Sequence, residues 1–182
     1  MHQETERQLA EAITNGDSRA MRRLYDRYSG HAMAVALRYT GQRDEALDVL
    51  QDSFVKILTS ASSFSYRGEG SLKAWVSRIV ANEAIDHVQH RQRLSFVSTV
   101  PDEPDDDAPD VEHVPPEVLT RLIGQLPTGY RLVLNMHVFE RLPHRDIARR
   151  LNISEKTSAS QFNRAKKKLA QMLRDYLNEQ ER

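Results

Sequence analysis

The sequence contains no cysteine, which excludes a disulfide framework and any thiolate metal site. No apolar run approaches the ~20 residues needed to cross a bilayer. The opening Met1-His2-Gln3-Glu4-Thr5-Glu6-Arg7 is polar and mixed in charge, unlike a secretory signal. Strand-like alternation of useful length is missing, and so is a solenoid repeat. The chain has 7 histidines, but none are paired at i, i+4, no H-E-x-x-H occurs and no glycine loop suited to phosphate is present. His87 and His90 stand three apart beside Arg91 and Arg93, which suits a helix end facing phosphate better than a metal site. These absences argue against an enzyme, a cofactor, a metal, a small-molecule substrate or insertion into a membrane. A cytoplasmic setting is expected.

What is present is helix and unevenly placed charge. The 182 residues are 39% hydrophobic and 29% charged, with a formal net charge of zero, and their length suits one larger or two small domains. From Pro101 to Glu117 there are eight carboxylates and no Lys or Arg, a net −8. From Arg141 to Arg174 there are ten Lys and Arg against two acids, a net +8. An acidic tether beside a module for a polyanion fits that asymmetry.

Three helices are expected first. Asp17 is placed to cap one that runs to Thr40, with Leu24, Tyr28, His31 and Val35 inward and Gly41 ending it in a left-handed conformation. A second runs from about Asp44 to Ala61 on an apolar stripe of Ala46, Leu50, Phe54 and Ile57 or Leu58. The Gly- and Ser-rich segment from Ser62 to Gly70 reads as a loop. Ser71 then caps a third helix to about Arg91, whose stripe is Leu72, Trp75, Val76, Ile79 and Val80. About 92–116 reads as a linker. Further helices follow at Glu117–Gln125, Tyr130–Phe139 (carrying Leu132, Val133, Met136 and Val138), Pro143–Leu151 and Glu155–Tyr176. The fold class is all-α: two small helical domains, 1–94 and 117–182, joined by an acidic flexible linker, 95–116.

The segment Arg145 to Ser158 has the layout of a helix-turn-helix. Ile147, Ala148 and Leu151 face inward, and the small Ala148 permits close crossing of a second helix. Asn152 takes the left-handed turn position, Ile153 plugs the core, and Ser154 caps the second helix and offers its N-terminus to DNA. Such a helix enters the major groove. Ser154, Glu155, Lys156, Ser158, Ala159 and Gln161 are expected to face the bases. Arg164, Lys166, Lys167 and Lys168 are expected to neutralise phosphates. Phe162, Ala165, Leu169 and Leu173 are assigned to the core.

The first half carries a more specific signal. Leu24-Tyr25-Asp26-Arg27-Tyr28 resembles the opening of domain 2 in the extracytoplasmic-function sigma factors of bacterial RNA polymerase, group 4 of the sigma-70 family. Asp44 to Lys56 is similar to that family's D-x-x-x-D-x-x-Q-(E/D)-x-F-x-(K/R) helix, and Ser71 to Asn82 to its F-x-x-W-L-x-x-I-A-x-N segment. Leu122 to Leu169, entered through Gln125-Leu126-Pro127, resembles sigma domain 4. The likeness covers about 20–94 and 117–174.

The resemblance implies that Asp48, Gln51, Asp52 and Lys56 dock on core polymerase, since Asp48 and Asp52 share a helix face beside Gln51. It implies that the loop Phe64–Gly70 and the next helix open the −10 promoter element through Phe64, Tyr66, Arg67 and Asn82, with Lys73, Arg78, Arg91 and Arg93 on phosphates. Asn82 matches the position that contacts an extruded base; the spacing of Trp75 assigns it to the core. Domain 4 would bind the −35 element. A membrane-linked anti-sigma factor is an implied partner. The linker would either mimic a polyanion or serve only as a tether.

Asn152 stands where the family often has Gly, Pro143 where Ser or Thr caps, and Ala159 and Gln161 where Lys or Arg is common. These departures bear on the DNA sequence read, not on the fold. The alternative reading, a stand-alone helix-turn-helix regulator, leaves the Asp48/Gln51/Asp52 face unexplained.

Overall fold

The computed structural model describes residues 4–91 and 114–180. Of the expected linker, residues 95–113, with all of the acidic run but Glu117, lie outside the described residues, as does Arg93; Pro116 and Glu117 begin a helix. All regular structure among those described is helical. The chain divides into two compact units, 1–88 and 89–182.

The first unit contains α1 (Glu6–Thr14), α2 (Ser18–Thr40), α3 (Arg43–Ser60), a 3₁₀ turn (Ala61–Ser63) and all but the last residues of α4 (Ser71–Arg91). α2 begins where Asp17 accepts the Arg19 amide and ends at Gly41 with φ 75°. α2 and α3 form a tight antiparallel pair across that short turn. Their inward residues, Leu24, Tyr28, Val35, Ala46, Leu50, Phe54 and Ile57, are buried. Of the Ile57/Leu58 alternative, Ile57 is the core residue; Leu58 is exposed. Leu72, Val76 and Val80 bury the inner face of α4, while Trp75 and Ile79 are half-buried.

α1 was not anticipated from the sequence. It starts with a capping box in which the Thr5 hydroxyl accepts the Gln8 amide and the Gln8 side chain accepts the Thr5 amide. Leu9, Ala10 and Ile13 are its core side. Glu6, one turn earlier, is also buried, at 3% exposure. Arg23 of α2 holds the start of α1 by two bonds to the Glu4 carboxylate, 2.9 and 3.0 Å.

The second unit contains α5 (Pro116–Gly124), α6 (Thr128–Val138), α7 (His144–Leu151) and α8 (Glu155–Gln180). Ile123, Leu126, Leu134 and Ala165 form a core on which Phe162 and Leu169 pack. Arg131 is buried, and its guanidinium donates to the Gly124 and Leu126 carbonyls at 2.9 Å each. Those acceptors are at and just beyond the end of α5, where helical carbonyls lack partners and a cation is favourable. Asn135, also buried, donates to the Arg131 carbonyl at 2.8 Å. Val138, expected on the apolar side of α6, is 48% exposed, because it lies at the last turn.

α7 and α8 form the expected helix-turn-helix. Asn152 has φ 54°, ψ 50° and its amide returns to the Ala148 carbonyl. The Ile153 amide reaches the same carbonyl at 3.0 Å. Ser154 accepts the Thr157 amide at 2.9 Å, capping α8.

Because a β-branched side chain is strained at positive φ, Asn152→Val is expected to lower stability by about 1–2 kcal/mol. Asn152→Gly is expected to leave it unchanged or slightly raised. Urea unfolding of the full chain measures both, and equal midpoints for the two variants would show that the left-handed turn is not required.

Candidate nucleic-acid and partner interfaces

The outward side of α3 is built from what its apolar stripe leaves over. Asp48, Gln51 and Asp52 are all exposed and spaced i, i+3, i+4 on one face. Lys56 is exposed too, but its ammonium pairs with Glu83 of α4, which raises its pKa. It is thus the member of the expected set already engaged within the protein. The sequence reading overlooked the apolar groups among the acids: Leu47, Val55 and Leu58 are all exposed, Val55 at 61%. Beside them Tyr25 of α2 is 47% exposed and meets Phe54 edge-on at 4.7 Å. Met21, Arg22, Tyr25, Asp26, Phe54 and Leu58 line a groove of about 410 Å³. The face is therefore a mixed one, with carboxylates and an amide around apolar ground. The sequence signal was available in leucine and valine positions that fall off the buried stripe of α3.

The second surface is the segment from Phe64 to Gly70 and the helix it enters. Phe64 closes the 3₁₀ turn and rests on Trp75 of α4, ring centroids 5.0 Å apart. Trp75, assigned to the core from its spacing, is half-buried and is the floor for this ring. At the far end the Ser71 hydroxyl accepts the Arg67 amide at 3.3 Å, and the Gly68 carbonyl accepts the Ser71 amide at 3.1 Å. Gly68 and Gly70 have φ of 120° and 84°, values that L residues avoid. So the loop is tied at both ends, leaving Ser65 and Arg67 exposed and Tyr66 partly so.

Lys73, Arg78, Asn82 and Arg91 are exposed on α4. At ~100° per residue, Arg78 and Asn82 fall within about 60° of Trp75, on the side where the loop is anchored. Lys73 and Arg91 fall roughly opposite. Lys73 instead lies near His31 of α2, whose ring nitrogen is 2.8 Å from the Ser77 hydroxyl. The loop, Arg78 and Asn82 form one surface; Lys73 and Arg91 do not share it.

The third surface is the start of α8. Ser154, Glu155 and Lys156 are exposed and Ala159 partly so. Two expected base-facing residues are not outward: Ser158 is fully buried and Gln161 is 1% exposed. The reason at Ser158 is a ring cluster inside the unit. Its hydroxyl is 3.0 Å from His144 Nδ1. The His144 ring stacks on His137 at 4.4 Å and 9°, and His137 meets Phe162 edge-on at 4.5 Å. Ser158 thus ties α8 to the start of α7. Gln161 is three residues on, along the same inward side. Lys156, Ala159, Asn163 and Lys167 follow one another at i, i+3, i+7 and i+11, and so share the outer face. Asn163 was missed, although its period was legible. Lys166 and Lys168 are exposed, and Arg164 and Lys167 partly so. The Lys166 ammonium sits 5.4 Å from the Phe162 ring centre.

The described residues hold no cluster of three or more His, Asp or Glu suited to a metal. None of their helices is long and apolar enough to cross a membrane.

Two family profiles match the chain: sigma-70 region 2 over residues 24–94 and sigma-70 region 4 over residues 117–169. It is 29% identical to the RNA polymerase sigma-H factor of Pseudomonas aeruginosa, covering 97% of this chain and 98% of that one. It is 27% identical to the ECF RNA polymerase sigma-E factor of Haemophilus influenzae, over 89% and 92% of the two chains. SigM of Mycobacterium tuberculosis, an ECF RNA polymerase sigma factor, is 28% identical over 97% and 88%. Among solved structures, CnrH in complex with the cytosolic domain of CnrY is similar, with TM-score 0.50 and 25% identity, over 94% of this chain and 99% of that one.

Burial, together with Lys73 and Arg38, holds His31 below the usual histidine pKa; burial and the facing His137 do the same to His144, with Glu155 opposing. The unfolded chain therefore takes up these protons first. Their contribution to stability is complete above the ordinary value of 6.5 and is lost as pH falls from there through the folded values. The thermal midpoint is expected to fall between pH 7 and pH 5, and to fall less in His31→Gln/His144→Gln; parallel profiles for wild type and variant would remove the histidines from the account.

Proposed function

The chain belongs to the sigma-70 family of RNA polymerase sigma factors, in its extracytoplasmic-function group, and we propose how its surfaces share the work of opening a promoter. As a sigma factor it binds core polymerase and directs it to particular promoters, where transcription begins. Residues 1–94 act as domain 2, 95–116 as an acidic linker and 117–182 as domain 4. Domain 2 docks on core polymerase through Asp48, Gln51 and Asp52, with Lys56 in a supporting pair. The exposed apolar ground of Leu47, Val55, Leu58 and the groove beside it extends this face. Area removed from water there supplies affinity, and the carboxylates supply orientation and rate.

The observation that carries the division of labour is the anchored loop. Phe64 sits on Trp75, and Arg78 and Asn82 stand on the same side of α4. A promoter base taken from the stack costs a few kcal/mol, which a preformed pocket and a stacking surface return. Asn82 has the donors and acceptor to read an edge of such a base. Tyr66 and Arg67 add a ring and a charge for the single strand. Lys73 and Arg91, lying on the other side of α4, are left out of this surface.

Domain 4 binds the −35 element with the start of α8. Ser154 presents the helix N-terminus, and Glu155, Lys156 and Ala159, with Asn163 next on the same face, lie in the major groove. Arg164, Lys166, Lys167 and Lys168 neutralise phosphates, so their loss is expected to lower affinity and flatten its salt dependence. Ser158 and Gln161 are left out of the base-reading set because both are buried.

The protein is proposed to add no catalysis of its own, to work in the cytoplasm, and to be restrained by a membrane-linked anti-sigma factor. The complex of the similar CnrH with the cytosolic domain of CnrY supports a protein partner of that kind.

Run-off transcription with purified core polymerase on a genomic promoter library tests this reading. Discrete start sites are expected only with the wild-type protein. Asp48→Arg/Asp52→Arg is expected to lose core binding and transcription together. DNA binding with neither core association nor transcription would leave a stand-alone regulator.

A further inference from the structure

Glu6 is a buried carboxylate, and its partners are far away in sequence. One oxygen accepts the backbone amide of Leu72, 66 positions later, at 2.9 Å. The other accepts the Tyr28 hydroxyl at 3.2 Å. Tyr28 is itself 5% exposed, and burial pushes its pKa up to about 12. It stays a neutral donor at any working pH. Leu72 is the second residue of α4, so its amide is among the first-turn donors with no partner inside the helix. A negative charge there is also favoured by the helix dipole. The residue that finishes the start of α4 is therefore supplied by α1.

The start of α4 is also the end of the loop from Phe64 to Gly70. Gly68 and Arg67 are bonded to Ser71, and Gly70 accepts the Ala74 amide at 2.9 Å. Loop, first turn of α4, Glu6 and Tyr28 thus form one connected set of bonds. α1 is seated from outside by the two-bond contact of Arg23 with Glu4.

We propose that α1 is a latch for the loop from Phe64 to Gly70, and that Glu6 is a positioning residue for single-strand recognition at the −10 element. It touches no DNA. By holding Leu72 it keeps the loop and the Trp75, Arg78 and Asn82 face in one arrangement before DNA arrives, which removes an ordering cost from binding. The proposal rests on the reading of that loop as the −10 surface.

The test is the affinity of reconstituted holoenzyme for a fluorescent single-stranded −10 oligonucleotide, measured beside its affinity for core polymerase. Glu6→Leu is expected to weaken the oligonucleotide about tenfold or more, the worth of one hydrogen bond to a charged group, with core affinity unchanged. Glu6→Gln keeps an acceptor for the Leu72 amide and is expected to recover most of the loss. If Glu6→Leu does not fold, Arg23→Ala, an exposed change that removes the Glu4 contact at the start of α1, is expected to weaken the oligonucleotide about threefold. Asn82→Ala separates the two ideas. If Asn82→Ala weakens binding while the folded Glu6 or Arg23 variants bind as wild type, the latch is wrong. If Asn82→Ala and Glu6→Leu are both without effect, the loop is not the −10 surface. Equal losses of core and oligonucleotide affinity in Glu6→Leu would make Glu6 merely structural and overturn the proposal.

Discussion

A carboxylate cannot remain in an apolar core unless its oxygens are hydrogen-bonded, since the unpaired charge would cost several kcal/mol. Glu6 meets that condition through Leu72 and Tyr28, and in doing so binds α1, α2 and α4 into one body. The second unit uses the same device with the opposite sign. Arg131 reaches the carbonyls at the end of α5, and His144 reaches Ser158 at the start of the helix-turn-helix. In both units a polar side chain from one helix completes the end of another, or fixes how two helices meet. Apolar burial gathers the helices, and these few directional bonds set which surfaces end up side by side.

The consequence is a division between rigid support and exposed chemistry. In the first unit α3 buries Ala46, Leu50, Phe54 and Ile57 and turns its carboxylates with Leu47, Val55 and Leu58 outward. α4 buries Leu72, Val76 and Val80 and turns Arg78 and Asn82 outward. In the second unit the inner side of α8 is taken up by Ser158, Gln161 and Ala165, which leaves the Lys156, Ala159, Asn163 and Lys167 row on the outer side. Under the proposed function this separation has a clear use: protein contact on one helix, single-strand contact on the next, duplex contact in the other unit.

Much of the helical plan was legible because local chemistry agreed with it. Asp17 and Gly41 bracket α2, and Asn152 and Ser154 define the turn and cap of the second motif, through short-range bonds that sequence spacing already implies. α1 was not legible in the same way. It is nine residues long and mostly polar, and the main clue was the Thr5-to-Gln8 capping box. Its folding rests on the burial of Leu9, Ala10 and Ile13 and on Glu6, whose partners lie across the fold. The choice between Ile57 and Leu58 was open for the related reason that i+3 and i+4 neighbours flank the same stripe. Ser158 and Gln161 were misplaced because one face of α8 cannot be told from another until the His137, His144 and Phe162 rings are seen against it. Lys73 and Arg91 carry the right charge, yet the helical turn sets them away from Asn82.

The most direct test of the account is permanganate footprinting of an initiating promoter bound by holoenzyme, comparing the wild-type chain with one whose Phe64-to-Gly70 segment is replaced by glycine and serine of equal length. Reactive thymines confined to the −10 region with the wild type, and their disappearance with the replaced loop while duplex binding persists, are the predicted result. Undiminished reactivity with the replaced loop would contradict the claim that this unit opens DNA through that loop.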